Sequence, residues 1–220
     1  MKTILCYGDS NTFGWIPVKI DILEDQVVLG DNRFSRDKRW TGILQKELGS
    51  DYLIIEEGLC GRTTTHNDPV EGSHKNGKEY LTPCLETHAP IDLVILSLGT
   101  NDLKGRFSVS SFDIAWSIAA LVGIIQQSAT GPDGEAPKVL LLCPTQLGKL
   151  AKFAEMFDRG KEKSRELAKY YKKVAKLFGC EFFDIGKIIA PSDIDGVHYD
   201  ASGHDKLGRA IAKVTREIFK

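Results

Sequence analysis

Thr3-Ile4-Leu5-Cys6-Tyr7-Gly8-Asp9-Ser10-Asn11-Thr12 opens the chain with a short apolar run that stops at a glycine and a group of turn-forming polar residues. A run of this length, with β-branched or aromatic content and a turn at its end, reads as a buried strand. The strand is predicted over Thr3 to Tyr7, and the same reading applies to Leu53 to Glu56, Leu93 to Leu98, Val139 to Cys143 and Glu181 to Phe183. Between these runs the periodicity becomes helical. Leu167, Tyr170, Tyr171, Val174, Leu177 and Phe178 share one predicted helix face, and Leu207, Ile211, Val214 and Ile218 share another near the end of the chain. Strands alternating with helices imply right-handed crossovers and a parallel sheet covered on both faces, because each apolar run must be buried twice. The fold class is α/β, and in such sheets functional groups gather in the loops beyond the carboxyl ends of the strands.

With 220 residues, 42% of them hydrophobic, the chain can bury one substantial core, and a single domain over residues 1–220 is expected. Lys and Arg total 29 against 30 for Asp and Glu, so no summed field draws the protein to nucleic acid or to an anionic membrane surface. The apolar stretch Ile4 to Tyr7 is far shorter than the hydrophobic region of a signal peptide, and no later segment approaches a membrane-spanning length. The chain reads as soluble and cytoplasmic. Cys6, Cys60, Cys84, Cys143 and Cys180 are an odd set without paired spacing, which suits reduced thiols. With no Cys-x-x-Cys or His-x-x-x-His pair, no protein-bound metal is expected. Thr130 to Pro137 reads as a surface loop, and the weakly periodic Ile16 to Lys38 as a lid, an oligomer contact or a long loop.

The segments after the strands carry the chemistry. After the first comes Gly8-Asp9-Ser10-Asn11-Thr12, where a sharp turn into a helix would place a small hydroxyl at the top of the sheet and backbone N–H groups near a developing negative oxygen. Serine is also a favoured helix cap, and the motif alone fits both roles for Ser10. A serine nucleophile needs a base. Among the histidines, His198 stands out because Asp195-Gly196-Val197-His198 puts a carboxylate three residues before it, where it can orient the ring. Asp195-Gly196 also fits a plain turn. Ser202-Gly203-His204-Asp205 resembles a capping box at the start of the last helix and makes His204 a solvated first-turn residue, while His66, His74 and His88 have no recognisable partner. After the third strand, Gly99-Thr100-Asn101-Asp102 offers the Asn101 amide as an oxyanion donor, and after the second, Gly58-Leu59-Cys60-Gly61-Arg62-Thr63 offers the Gly61 N–H.

Taken together, the segments around Ser10, Gly61, Asn101 and His198 resemble the four blocks of the SGNH, or GDSL-like, hydrolase superfamily. Arg39-Trp40-Thr41-Gly42, Glu56-Glu57-Gly58-Leu59, Asp92-Leu93-Val94-Ile95 and Ala136-Pro137-Lys138-Val139 extend the similarity towards its bacterial arylesterase and acyltransferase group. The resemblance implies a flavodoxin-like three-layer sandwich with a five-stranded parallel sheet. It implies Ser10 as nucleophile, Asp195 and His198 as the rest of a triad, and an oxyanion hole of the Ser10 N–H, the Gly61 N–H and the Asn101 side chain. Gly-x-Ser-x-Gly is absent, since Thr12 stands where that motif needs glycine, so the α/β-hydrolase elbow is not implied. Asn11 departs from the leucine or isoleucine that usually follows the nucleophile. Pro144-Thr145-Gln146 departs from a more proline-rich turn in the arylesterase group.

By the same resemblance Trp15, Lys104, Phe157 and Val197 line or gate the pocket, favouring a short acyl chain on a small-molecule ester. No cofactor is implied, and a homo-oligomer is. The reaction expected is esterase chemistry through an acyl-serine, resolved by water or, in acyl transfer or perhydrolysis, by an alcohol or hydrogen peroxide. A carbohydrate O-acetylesterase uses the same machinery. A flavin or nucleotide carrier, with Ser10-Asn11-Thr12-Phe13-Gly14 as a phosphate loop, gives Asp195, His198 and Asn101 no shared purpose. A binding surface on the basic run Arg159 to Lys176 is better explained as a solvated helix face.

Overall fold

The computed structural model describes residues 1–18 and 32–220. Strands β1 (Lys2–Gly8), β2 (Tyr52–Gly58), β3 (Leu93–Ser97), β4 (Lys138–Cys143) and β5 (Glu181–Asp184) pair in parallel in the order β2-β1-β3-β4-β5. The helices are α1 (Ser10–Phe13), α2 (Trp40–Leu48), α3 (Gly77–His88), α4 (Ser111–Gln126), α5 (Gly160–Phe178) and α6 (Ala201–Ile218).

Successive side chains of a strand point to opposite faces, and the central strands are apolar on both. Ile4 and Cys6 of β1 and Leu93 and Ile95 of β3 point to one side, where α2 and α6 bring Trp40, Leu44, Leu207 and Ile211. Leu5 and Tyr7 with Val94 and Leu96 point to the other, against Leu85 of α3, Ile118 of α4 and Tyr171 of α5. The result is a three-layer α/β sandwich. Each of these fully buried aliphatic side chains contributes about 1.5–3 kcal/mol through its removal from water.

The strand order reverses direction at one place. From β1 the chain leaves to β2 on one side, and it then crosses to β3 on the other side of β1. Connections at such a switch point depart in opposite directions and open a crevice beyond the carboxyl ends of β1 and β3. The loops carrying Ser10 and Asn101 leave from those two strand ends.

Two helix readings from the sequence need correction. On α5, Leu167, Tyr171 and Val174 are buried as expected, and the basic residues Lys161, Arg165, Lys172 and Lys176 are exposed, but Leu177 is 65% exposed in the final turn. The start of α6 is capped not by Ser202 but by Asp200, whose Oδ1 accepts the Gly203 N–H at 2.7 Å. His204 is thereby turned inward. It is fully buried, and its Nδ1 accepts the Trp40 N–H at 3.3 Å, joining α6 to the start of α2. The Thr130–Pro137 stretch is a loop as read, although Thr130 itself is buried and its carbonyl accepts the Ile91 N–H at 2.8 Å. Of the segment read as a lid, an oligomer contact or a long loop, residues 19–31 lie outside the described residues. Its two ends meet, with the Ile16 N–H donating to Asn32 O and the Phe34 N–H to Gly14 O.

Burial pushes the His204 imidazole from its ordinary 6.5 down to about 4. Between these values the unfolded chain binds a proton that the folded chain refuses, so this group's contribution to stability is present above pH 6.5 and is lost as pH falls towards 4. Asp9, whose carboxyl is raised by burial to about 6, acts oppositely in part of the same window, so a variant is needed to isolate His204. His204→Asn, which keeps an acceptor for Trp40, is expected to make the melting temperature fall less than wild type's between pH 7 and pH 4.5. Parallel pH profiles for the two proteins would contradict a neutral buried imidazole.

Candidate active site

Strand β1 ends at Gly8, where the next turn folds back so tightly that a Cβ would lie 2.1 Å from Thr12 Oγ1. Only glycine fits such an approach. The helix α1 that follows is capped by Asp9, whose Oδ1 accepts the Asn11 N–H at 2.9 Å. The capping role open to Ser10 in the sequence therefore belongs to Asp9. Ser10, as the first helical residue, keeps its hydroxyl for another partner, and its backbone N–H has none within the helix.

That partner is His198. Its Nε2 lies 2.9 Å from Ser10 Oγ, and its Nδ1 lies 2.8 Å from Asp195 Oδ2. The other Asp195 oxygen accepts the N–H groups of Val197 and His198, each at 2.9 Å, so the loop folds around its own carboxylate. Burial works to raise the Asp195 carboxyl, but the hydrogen bond and charge of His198 and the two backbone donors outweigh it and hold it below the ordinary carboxylate value. An ionised carboxylate in this position fixes the imidazole with Nδ1–H towards Asp195 and leaves Nε2 to accept the serine proton.

Asn11, the sequence departure beside Ser10, has a structural purpose that the sequence did not show. Its Oδ1 accepts the Tyr199 N–H at 3.1 Å and its Nδ2 donates to Val197 O at 3.4 Å, so it grips the backbone on both sides of His198. A leucine or isoleucine can make neither bond.

The loops after β2 and β3 complete the constellation. Gly61 has φ of 78°, and a Cβ there would lie 2.2 Å from Glu71 Oε2. Asn101 Nδ2 donates to Arg62 O at 3.1 Å, which leaves its second hydrogen for a ligand oxygen. Asp102, fully buried, holds the two loops together by accepting the Thr64 N–H, the Thr64 hydroxyl and His66 Nδ1 at 2.9 Å. The Asp102 hydrogen bond raises the His66 imidazole above its usual value. His66, which had no partner in the sequence reading, is thus a pillar of this junction. His88, read the same way, pairs with Glu57.

Ser10, Gly61, Asn101 and His198 face one cavity of about 390 Å³. Trp15, Lys104, Phe157 and Val197, the expected pocket residues, all line it. So do Phe153, Met156, Glu71 and Arg106, which were not singled out; Phe153, four residues before Phe157, was the readable signal. The lining has two characters. Trp15 and Phe153 flank the His198 ring at centroid distances of 6.0 and 6.3 Å. Lys104 pairs with Glu71, and Arg106 Nη1 lies 3.0 Å from the buried Asp68 Oδ1, so the polar wall carries paired charges. The site combines an activated hydroxyl, donors for a negative oxygen and room for a small organic group, which is what acyl transfer through serine requires.

The sequence model of the GDSL-like Lipase/Acylhydrolase family matches residues 6–206. The chain is similar to the solved structure of the M. smegmatis aryl esterase, at 41% identity over 99% of both chains with a TM-score of 0.90. It is equally similar to a carbohydrate acetylesterase from Sinorhizobium meliloti, at 41% identity over 99% of this chain and 100% of that one, with a TM-score of 0.91. No curated protein matches the chain.

Asn11→Leu leaves the buried Tyr199 N–H and Val197 carbonyl without partners and is expected to cost about 1–3 kcal/mol. Urea unfolding at unchanged m-value measures the loss. A change below a few tenths of a kcal/mol would mean that the grip on the His198 loop contributes nothing.

Proposed function

The chain belongs to the GDSL-like lipase/acylhydrolase family, and from this we propose that it is a serine esterase for short-acyl esters, aryl esters among them, formed as one hydrolase domain over residues 1–220. The observation that carries the reading is the unbroken relay from Asp195 through His198 to Ser10 at the floor of a cavity. His198 Nε2 takes the Ser10 proton as Oγ attacks the ester carbonyl. The oxyanion is held by the N–H groups of Ser10 and Gly61 and by the Asn101 amide. The new imidazolium is stabilised by Asp195 and returns its proton to the leaving alkoxide or phenoxide. Water, deprotonated by His198, then attacks the acyl-serine, and the acid leaves as Ser10 recovers its proton. An alcohol or hydrogen peroxide in the place of water turns the same second step into acyl transfer or perhydrolysis.

Trp15, Phe157 and Val197 limit the acyl chain by their bulk, and Lys104 sits on the polar wall. That wall, with Glu71 and Arg106, supports a second reading as a carbohydrate O-acetylesterase, since paired charges suit hydroxyl-rich alcohols; so does the likeness to the Sinorhizobium meliloti enzyme. A phosphate-loop role for Ser10 to Gly14 has less support, because the Ser10 hydroxyl is engaged by His198. We place the protein in the cytoplasm, a reading supported by its five free cysteines. Among the described residues no helix is long and apolar enough to cross a membrane. Its assembly as a homo-oligomer is supported by the stacked Phe112 and Trp116, which are 53% and 57% exposed on α4.

Ser10→Ala is expected to abolish p-nitrophenyl acetate hydrolysis, and Asn101→Ala to lower kcat about a hundredfold or more. Activity surviving in folded Ser10→Ala would remove the acyl-serine, and an unchanged kcat in Asn101→Ala would remove its oxyanion role. A higher kcat/KM on acetylated sugars than on aryl acetates would favour the carbohydrate reading. For the assembly, sedimentation of Phe112→Asp/Trp116→Asp is expected to give a smaller particle than wild type with intact hydrolysis; identical masses would place any contact elsewhere.

A further inference from the structure

Away from the cavity, three side chains from two elements converge at the edge of the sheet. Cys84 and His88 stand four residues apart on α3, so they share a face of that helix. Glu57 projects from β2, the edge strand, and its Oε1 lies 2.8 Å from His88 Nε2. One ligand atom from each, the Cys84 sulfur included, falls within 4.8 Å of the others. We propose that Glu57, Cys84 and His88 form a binding site for a zinc-class divalent ion that ties α3 to the edge of the sheet.

The donor set selects the ion. A thiolate and an imidazole suit zinc and its neighbours, whereas magnesium and calcium require oxygen ligands and find one here. In a tetrahedral zinc site the ligand atoms stand roughly 3.3–3.8 Å apart, as follows from metal–ligand bonds of about 2.0–2.3 Å. The Glu57–His88 contact is shorter than this and the cluster's outer limit longer, so the carboxylate and imidazole must turn by about an ångström. Their side chains are 20% and 24% exposed and can do so, while Cys84 is fixed in the core. One thiolate and one carboxylate neutralise the ion. Glu57 also lines a cleft with Arg62, His74 and Tyr80, so one of the three ligands reaches solvent, and a zinc ion with three protein ligands takes water as its fourth.

The simpler alternative is a histidine–carboxylate hydrogen bond beside a core cysteine, and proton balance separates the two. A cysteine side chain without a metal is a thiol at neutral pH, and only the thiolate binds the ion. Binding breaks its S–H bond, forms a metal–sulfur bond and sends one proton to solvent. His88 must also move its hydrogen from Nε2 to Nδ1, giving up the bond to Glu57. No electron is transferred. Affinity should therefore rise about tenfold per pH unit. The site needs nothing from Ser10 and stands whether or not the ester reading holds.

The test is titration of the purified, chelator-treated chain with zinc sulfate by calorimetry and with cobalt chloride by absorption. Saturation at one equivalent, a near-ultraviolet thiolate-to-cobalt band and a higher melting temperature are expected, unchanged in Ser10→Ala. His88→Gln and Glu57→Gln should each weaken binding at least tenfold. Cys84→Ser should remove the band, and the two other variants keep the test valid if Cys84→Ser does not fold. No saturable binding, binding without the band, or wild-type affinity in His88→Gln would overturn the site.

Discussion

Everything at the functional end of this molecule depends on one topological constraint. Because β1 is flanked by β2 on one side and β3 on the other, the chain must leave the top of the sheet in opposite directions at that pair of strands. No helix can close the gap this leaves. The loops beyond β1, β2 and β3 fill its rim, and the α6 approach brings His198 over it. A parallel sheet buried on both faces supplies the rigidity, since Ile4 and Leu5, adjacent in β1, are both wholly enclosed on opposite sides. The serine thus sits on one of the least deformable parts of the protein, while the groups that serve it arrive on loops.

Those loops are held by charges and polar groups buried with their partners. Asp195 is ringed by donors from its own loop, Asp102 joins the Gly61 and Asn101 segments, and Arg39, at the start of α2, makes a two-pronged contact with Glu56 of β2 at 3.1 and 2.7 Å. A carboxylate in such surroundings is costly to bury and strongly destabilising to leave alone, so removing one partner from any of these sets leaves an uncompensated polar group in its loop. Preorganisation of this kind lets the donors meet a developing oxyanion without first reorienting.

Much of this was legible in the chain because it is written locally. The five apolar runs became the five strands within a residue or two at most ends, and Asp195 and His198 announce their partnership by a spacing of three. What stayed hidden is what depends on residues far apart. His204 looked solvated because its acceptor role is towards Trp40, 164 positions away. His66 and His88 looked unpartnered because Asp102 and Glu57 lie on other elements. Asn11 looked like a blemish in a motif, since the backbone it holds is 188 residues on. Leu177 obeyed the helical period yet protrudes, because periodicity assigns a face but not where the neighbouring layer stops. The resemblance supplied the pocket residues, which no periodicity could have chosen.

The Asp195–His198 loop has one more consequence. Since the carboxylate, its two backbone donors and the ring it orients all lie within four residues, the acid–base pair is a self-contained cartridge. Its internal geometry is set by a short turn, and Asn11, the neighbour of Ser10, ties the backbone on either side of the ring to the nucleophile's helix. Loop displacement during ligand entry or release would shift the cartridge as a unit, leaving Asp195 against the imidazole and changing chiefly the joint to Ser10. The long-range part of folding then has chiefly to set how the cartridge meets Ser10, and Asn11 fixes that meeting from the adjacent position.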